Sequence, residues 1–272
     1  MTKCIRRFVS QKATKLSLAL IIFATFSNAS LDIKTPKSEK ISSLMLVGNS
    51  FFYYNNSLHN YLRKIISGDS SVETINTRSI TINGSSLSWH SVEAYLDNKN
   101  IGGFRIDSKN DNKYIESKDT SIDAVIFMDC SLCPIHPKTK DNFHKYVAKH
   151  SETIRARGAE PMLFMSWPYK NKKDMVFELR EEFIKAANDN NILLVPAGEA
   201  FHNLNRTHPE INLYTTDMRH PSAEGTYLAA AVVFGTLFKK KTEGNKNIMN
   251  LNPEDALKIQ KIADETVKNF FK

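Results

Sequence analysis

Hydrophobic and polar positions along this chain follow two periods. Short unbroken apolar runs recur at 44–47 (LMLV), 124–128 (AVIFM), 162–165 (MLFM) and 192–195 (ILLV). A fifth stretch, 72–82, is rich in Val, Ile and Thr. Each reads as a strand. Between them the apolar residues return at helical spacing: Leu58, Tyr61, Leu62, Ile65 and Ile66, then 87–96, then Phe143, Tyr146, Val147, His150 and Ile154, then 174–187. The stretch 221–239 predicts a helix with a nearly all-apolar middle, and Asn252-Pro253 predicts the start of a last one, asparagine as cap and proline at the first helical position. The polar stretch 102–120 fits neither period and is expected to be an excursion forming a lid or a rim.

Unbroken apolar strands, each followed by a helix, imply a parallel sheet covered on both faces. The fold class expected is α/β, three layers deep, with five parallel strands in the middle. Sites in such sheets form beyond the carboxyl ends of the strands. That rule points to 48–50, 82–86, 129–134 and 166–169, and a fifth place lies on the last loop, before the helix at Pro221.

The first 29 residues break the pattern. Lys3, Arg6, Arg7, Lys12 and Lys15 form a basic stretch without an acid, 16–26 is mostly apolar, and Ser27-Asn28-Ala29 supplies small residues. This is the order of a secretory signal; the alternative is an uncleaved anchor. The apolar run is short for a bilayer span, which takes ~20 residues. The domain reading is therefore a signal at 1–29, a polar linker at 30–42 and one α/β domain over 43–272, with the protein exported, periplasmic or secreted, and without a stable membrane anchor after cleavage. The signal carries five of the basic residues behind the net charge of +8, leaving +3 for the rest. No basic patch with interleaved aromatics remains, so a nucleic-acid partner is not expected.

Five residues carry candidate chemistry. Ser50 follows the first strand in Gly48-Asn49-Ser50, where it is either the cap of the next helix or a nucleophile. A serine nucleophile needs a base, and the base needs an acid to set its tautomer. Asp217 and His220 supply both types three residues apart, just before a helix. Cys130 and Cys133 are spaced for a disulfide, for redox chemistry or for half of a zinc site. No second pair of ligands accompanies them, so no metal is expected, and a structural disulfide or two free thiols is the simpler reading. Trp167 and the aromatics 51–54 are core or rim residues, or the lining of an acyl or sugar site.

"VGNSF" at 47–51 and "DMRHPS" at 217–222, continued by Gly225, Tyr227 and Leu228, resemble the first and last blocks of the SGNH, or GDSL-type, hydrolases. Gly84 in "TINGSS" resembles their second block. The resemblance spans about 44–238 and implies a flavodoxin-like α/β/α fold, with Ser50 as nucleophile, His220 as base, Asp217 as its acid, and the N–H groups of Ser50 and Gly84 as oxyanion donors. The third block departs from the pattern: no asparagine follows the third strand in Asp129-Cys130-Ser131-Leu132-Cys133-Pro134. Ser131 is the candidate for its place, tied down by a Cys130–Cys133 bridge. The function expected is an exported serine esterase acting on short-chain or acetyl esters, a small molecule or a glycan, without a cofactor. The alternatives are a non-catalytic glycan-binding relative and a thiol–disulfide protein using Cys130 and Cys133.

Overall fold

A computed structural model describes residues 30–101, 105–115 and 121–272. The signal expected at 1–29 and parts of the 102–120 excursion lie outside the described residues. Five strands form one parallel sheet: β1 (Ser43–Gly48), β2 (Asn76–Thr81), β5 (Ala124–Phe127), β6 (Glu160–Phe164) and β7 (Leu193–Val195), in the order β2-β1-β5-β6-β7. Between β2 and β5, the short strands β3 (Arg105–Asp107) and β4 (Lys113–Ile115) pair antiparallel as a separate hairpin.

Every residue of β1, β5, β6 and β7 is buried, which is why these strands read as unbroken apolar runs. β2 lies at the sheet edge and is only partly buried, and its Thr- and Ser-containing sequence fits that position. It begins later than expected, at Asn76.

The helices are α1 (Ser50–Tyr53), α2 (Leu58–Ser67), α3 (Val92–Asp97), α4 (Lys140–Ala156), α5 (Met175–Asp189), α6 (Ala197–Thr207), α7 (Ala223–Phe238) and α8 (Pro253–Phe270). The chain moves one way along the sheet from β1 to β2 and the other way from β5 to β7. Right-handed crossovers therefore place α2 on one face and α4 and α5 on the other. Helix α7, whose sequence is apolar all round, is buried between neighbours and packs on α2, α6 and α8. Its cap is Ser222, which accepts from Gly225 N at 3.1 Å; Asn252 caps α8 by accepting from Glu254 N at 2.9 Å.

One expectation is corrected, and two features go beyond the sequence reading. The helix expected over 87–96 is broken: Leu87–Trp89 forms a 3₁₀ turn and α3 starts afresh at Val92, with the buried His90 between them. Helix α6 was not anticipated, although Ala197, Ala200, Phe201 and Leu204 have helical spacing and are all fully buried. The segment 30–42, expected as a linker, is fastened to the domain. Leu31 and Ile41 are buried, and Glu160 accepts from the N–H groups of Lys37 and Ser38 at 2.8 Å each. Among the described residues no helix is long and apolar enough to cross a membrane.

Candidate active site

The direction of chain progression reverses between β1 and β5, and a doubly wound sheet opens a crevice at such a point. β1 delivers Gly48 there. A Cβ on Gly48 would stand 2.7 Å from Met128 Cγ and 2.8 Å from Phe52 Cδ2, so the chain turns in a space that admits only glycine. Asn49 then caps α1: its Oδ1 accepts from Phe51 N at 3.2 Å. Its Nδ2 donates to the carbonyls of Ser85 (3.0 Å) and Asp129 (3.3 Å). One buried amide thus ties together the loops following β1, β2 and β5. The cap is Asn49, which leaves the Ser50 hydroxyl free for another partner.

That partner is His220. Ser50 Oγ lies 2.8 Å from His220 Nε2, and His220 Nδ1 is hydrogen-bonded to Asp217 Oδ2. Asp217 Oδ1 accepts from Thr215 Oγ1 (2.8 Å), Arg219 N (2.9 Å) and His220 N (2.9 Å). Burial works to raise the Asp217 pKa, but the bonds from the His220 ring, from the two backbone N–H groups and from the Thr215 hydroxyl prevail. They hold its carboxyl well below the usual carboxylate range. An ionised carboxylate, an imidazole and a hydroxyl in series can move the hydroxyl proton to the imidazole while the carboxylate steadies the cation formed.

The loop that bears Asp217 and His220 is held from three sides. Trp167 Nε1 donates to Arg219 O at 3.0 Å, and Lys170 N donates to Met218 O at 2.9 Å. Asn55 Nδ2, at the end of the Ser50 segment, lies 2.8 Å from each of Pro221 O, Ser222 O and Thr226 Oγ1. Asn55, Asn56 and Ser57 all have positive φ (54°, 66° and 73°), a conformation asparagine tolerates. The aromatics form a stack behind the loop. Tyr54 lies flat on the His220 ring at 4.2 Å, Phe51 meets that ring edge-on at 5.5 Å, and Phe51, Trp167 and Phe201 stack in succession. Trp167 is fully buried, so it supports the loop from behind.

The loops after β2 and β5 flank the Ser50 segment, to which Asn49 ties them. Ser50 N is the first N–H of α1 and has no intrahelical acceptor. Gly84, at φ 67°, sits in a turn closed by Ser85 N donating to Ile82 O at 3.2 Å. Ser85 Oγ lies 2.9 Å from His90 Nε2 and donates to Gly48 O at 3.3 Å. Burial, together with nearby His150, pushes the His90 pKa down to about 4, so this imidazole is neutral.

Asp129 turns its Oδ1 to Leu87 N (2.9 Å) and Cys130 N (2.7 Å). Burial pushes its pKa up to about 6 against those two bonds. Ser131 Oγ pairs with Tyr169 OH at 2.7 Å. Cys130 and Cys133 are joined by a disulfide. The one cluster with metal-ligand spacing among the described residues is Asp129 with those two cysteines, whose sulfurs are taken up by the disulfide.

Ser50, Asp217 and His220 are thus brought into hydrogen-bonding series, and Gly84 lies in the turn adjoining the Ser50 segment, where Tyr53 OH donates to Asn83 Oδ1 at 3.0 Å. The sequence reading missed the work of Asn49, Tyr54, Asn55 and the Trp167 N–H. The motif itself held three of those four, in the asparagine before the serine and in the Tyr-Asn pair after it.

No family profile and no curated protein matches the sequence. Solved structures do match. A DUF4886 family protein from Bacteroides uniformis superposes with a TM-score of 0.65 at 20% identity, over 85% of this chain and 96% of that one. An SGNH hydrolase candidate from Slackia heliotrinireducens gives 0.55 at 23% identity, over 72% and 99%. The structure of TesA gives 0.51 at 15% identity, over 71% and 97%. The chain has the SGNH-hydrolase fold.

Proposed function

We propose that the protein is a serine hydrolase of carboxylic esters, working through an acyl-Ser50 intermediate. The Ser50–His220–Asp217 series of hydrogen bonds carries this reading. His220 Nε2 takes the Ser50 proton as Oγ attacks the ester carbonyl. Asp217 keeps Nδ1 protonated and stabilises the imidazolium. The N–H groups of Ser50 and Gly84 receive the oxyanion. His220 then protonates the departing alcohol, and activates the water that releases the acid and restores Ser50. The oxyanion donors are needed because the loss of one typically costs ~10²–10³ in rate.

The substrate proposed is a short-chain ester, and in particular an acetyl ester on a carbohydrate. The small residues Ser85, Ser86 and Ser88, which follow Gly84, suit a short acyl group. Trp89, which follows directly, is 63% exposed and offers a bare aromatic face of the kind sugars stack on. Export of the protein belongs to the same proposal, supported by the order of charge, apolar run and small residues at 1–29 and by a disulfide suited to an oxidising compartment. The thiol–disulfide alternative is disfavoured: Cys130-x-x-Cys133 lies in the loop before α4, which begins only at Lys140, away from the helix N-terminus that would stabilise a thiolate.

Fluorophosphonate labelling tests the reading. Wild type is expected to be labelled and to hydrolyse 4-nitrophenyl acetate, and Ser50→Ala to do neither. A folded wild type that resists labelling overturns it.

A further inference from the structure

Arg219 stands between the two chemical residues of the last loop, directly before His220. Its backbone is pinned at both ends, the N–H donating to Asp217 Oδ1 at 2.9 Å and the carbonyl accepting from Trp167 Nε1 at 3.0 Å. Its guanidinium lies over the Tyr169 ring, 5.9 Å from the centroid. Tyr169 OH meets Ser131 Oγ at 2.7 Å, so Arg219, Tyr169 and Ser131 make one wall from the His220 loop to the loop after β5. Beyond Tyr169 opens a cleft of about 190 Å³, lined in part by Lys173, Arg206, His202 and Asp174.

The charges along this wall are not balanced. Among the described residues neither Arg219, Lys173 nor Arg206 forms an ion pair. Asp217 is committed to His220, Thr215 and two N–H groups. Asp129 is buried and faces Leu87 N and Cys130 N. That leaves Asp174 as the one carboxylate on the cleft lining. The Arg219 guanidinium, directly before His220 in the chain, rests on Tyr169 without a carboxylate partner among the described residues, and an anion on the substrate would supply one. A guanidinium laid on an aromatic ring also has its planar fork ordered for a carboxylate.

We propose that the ester turned over at Ser50 is carried on an anionic molecule, whose carboxylate is received by Arg219 with the cationic cleft beyond Tyr169. This deepens, and rests on, the acyl-serine reading. An acidic sugar chain, with a carboxylate recurring beside its acetyl esters, has the chemistry required. Arg219 is then a specificity residue.

The test measures acetate release from O-acetylated polygalacturonate, which has a carboxylate on each sugar, and from O-acetylated xylan freed of acidic sugars. Turnover of 4-nitrophenyl acetate is followed alongside to report the state of the triad. Wild type is expected to favour the acidic chain in kcat/KM by about 10- to 100-fold, the range of one charge-assisted hydrogen-bonded contact. Arg219→Gln is expected to bring that ratio towards one by raising KM for the acidic chain. Arg219→Lys, with the charge but not the fork, should keep part of it, and added salt should narrow it in wild type. Anything but preferential release from the acidic chain by wild type, or an unchanged ratio in Arg219→Gln, overturns the proposal. Failure of fluorophosphonate labelling would instead remove the acyl-serine reading, and this proposal with it. Labelling without discrimination removes this proposal alone.

Discussion

At the scale of the residue, the telling side chains are asparagines. Asn49 takes the helix-capping role that Ser50 would otherwise have filled, and so frees the hydroxyl for His220. Asn55 joins the serine segment to the histidine loop by one amide shared among three acceptors. Its φ of 54° allows a clean experiment, because glycine accepts that conformation without strain. Asn55→Gly removes the contacts and keeps the backbone. We expect it to cost about 1–3 kcal/mol of stability, the range for unsatisfying buried acceptors. Turnover of 4-nitrophenyl acetate should fall about tenfold, since the His220 loop loses a tether that fixes its distance from Ser50. A thermal melt with parallel kinetics checks both; an unshifted melt and unchanged kcat would show that Asn55 is incidental. Trp89 is tested differently. With its indole mostly exposed, Trp89→Ala should raise KM for acetylated glycans several-fold, within the ~1 kcal/mol of an aromatic contact, and leave 4-nitrophenyl acetate untouched.

At the scale of the element, strands were easier to read than the structures between them. β1, β5, β6 and β7 are buried on both faces, so their centres (44–47, 124–127, 162–164 and 193–195) are apolar without interruption and need no partner to be recognised. The helix expected over 87–96 failed because His90 is drawn inward to Ser85 and Tyr95, a tertiary demand that periodicity cannot express. The Ser50, His220 and Asp217 series was legible because its residue types are chemically specific, with Ser50 at the end of β1 and the Asp-x-x-His pair just before a helix. The Asn55 contacts were not, since they link positions more than 160 residues apart. The loop after β5 lies between these cases. Its two cysteines announced a possible bridge, but not that Asp129 would turn away to Leu87 N and Cys130 N. The Cys130–Cys133 disulfide closes a very short loop, so in the chain-entropy view it contributes about 2 kcal/mol. Serine at both positions should lower stability by no more than that. The larger expected effect is a several-fold loss of kcat, because Asp129 and Ser131 lie on that loop and Ser131 holds Tyr169 from it. A melt that collapses while the surviving fraction keeps full kcat would make the disulfide purely structural.

At the scale of the whole molecule, two buried groups beside the site make opposite contributions to the pH dependence of stability. His90 in the folded chain resists protonation until about pH 4, against an ordinary value of 6.5. As pH falls from 6.5 towards 4 the unfolded chain binds a proton that the folded one refuses, and stability falls. Asp129 is raised from 3.8 to about 6. As pH rises from 3.8 towards 6 the unfolded chain releases a proton that the folded one keeps, so stability again falls, now in the other direction. Over the shared window of about pH 4 to 6 the two slopes offset each other, and neither is visible in wild type alone. Single substitutions separate them. Asp129→Asn, which keeps an acceptor for Leu87 N or Cys130 N, leaves His90 unopposed, so stability should climb from pH 4 to 6.5 more steeply than in wild type. His90→Gln, which keeps a donor for Ser85, leaves Asp129 unopposed, so stability should decline from pH 4 to 6 relative to wild type. Urea midpoints at half-unit intervals would show two curves diverging to either side of the wild-type one. Three parallel curves would mean that these groups keep ordinary proton affinities in the folded chain, and that the loops carrying Gly84 and Ser131 are wetter and looser than their hydrogen bonds imply.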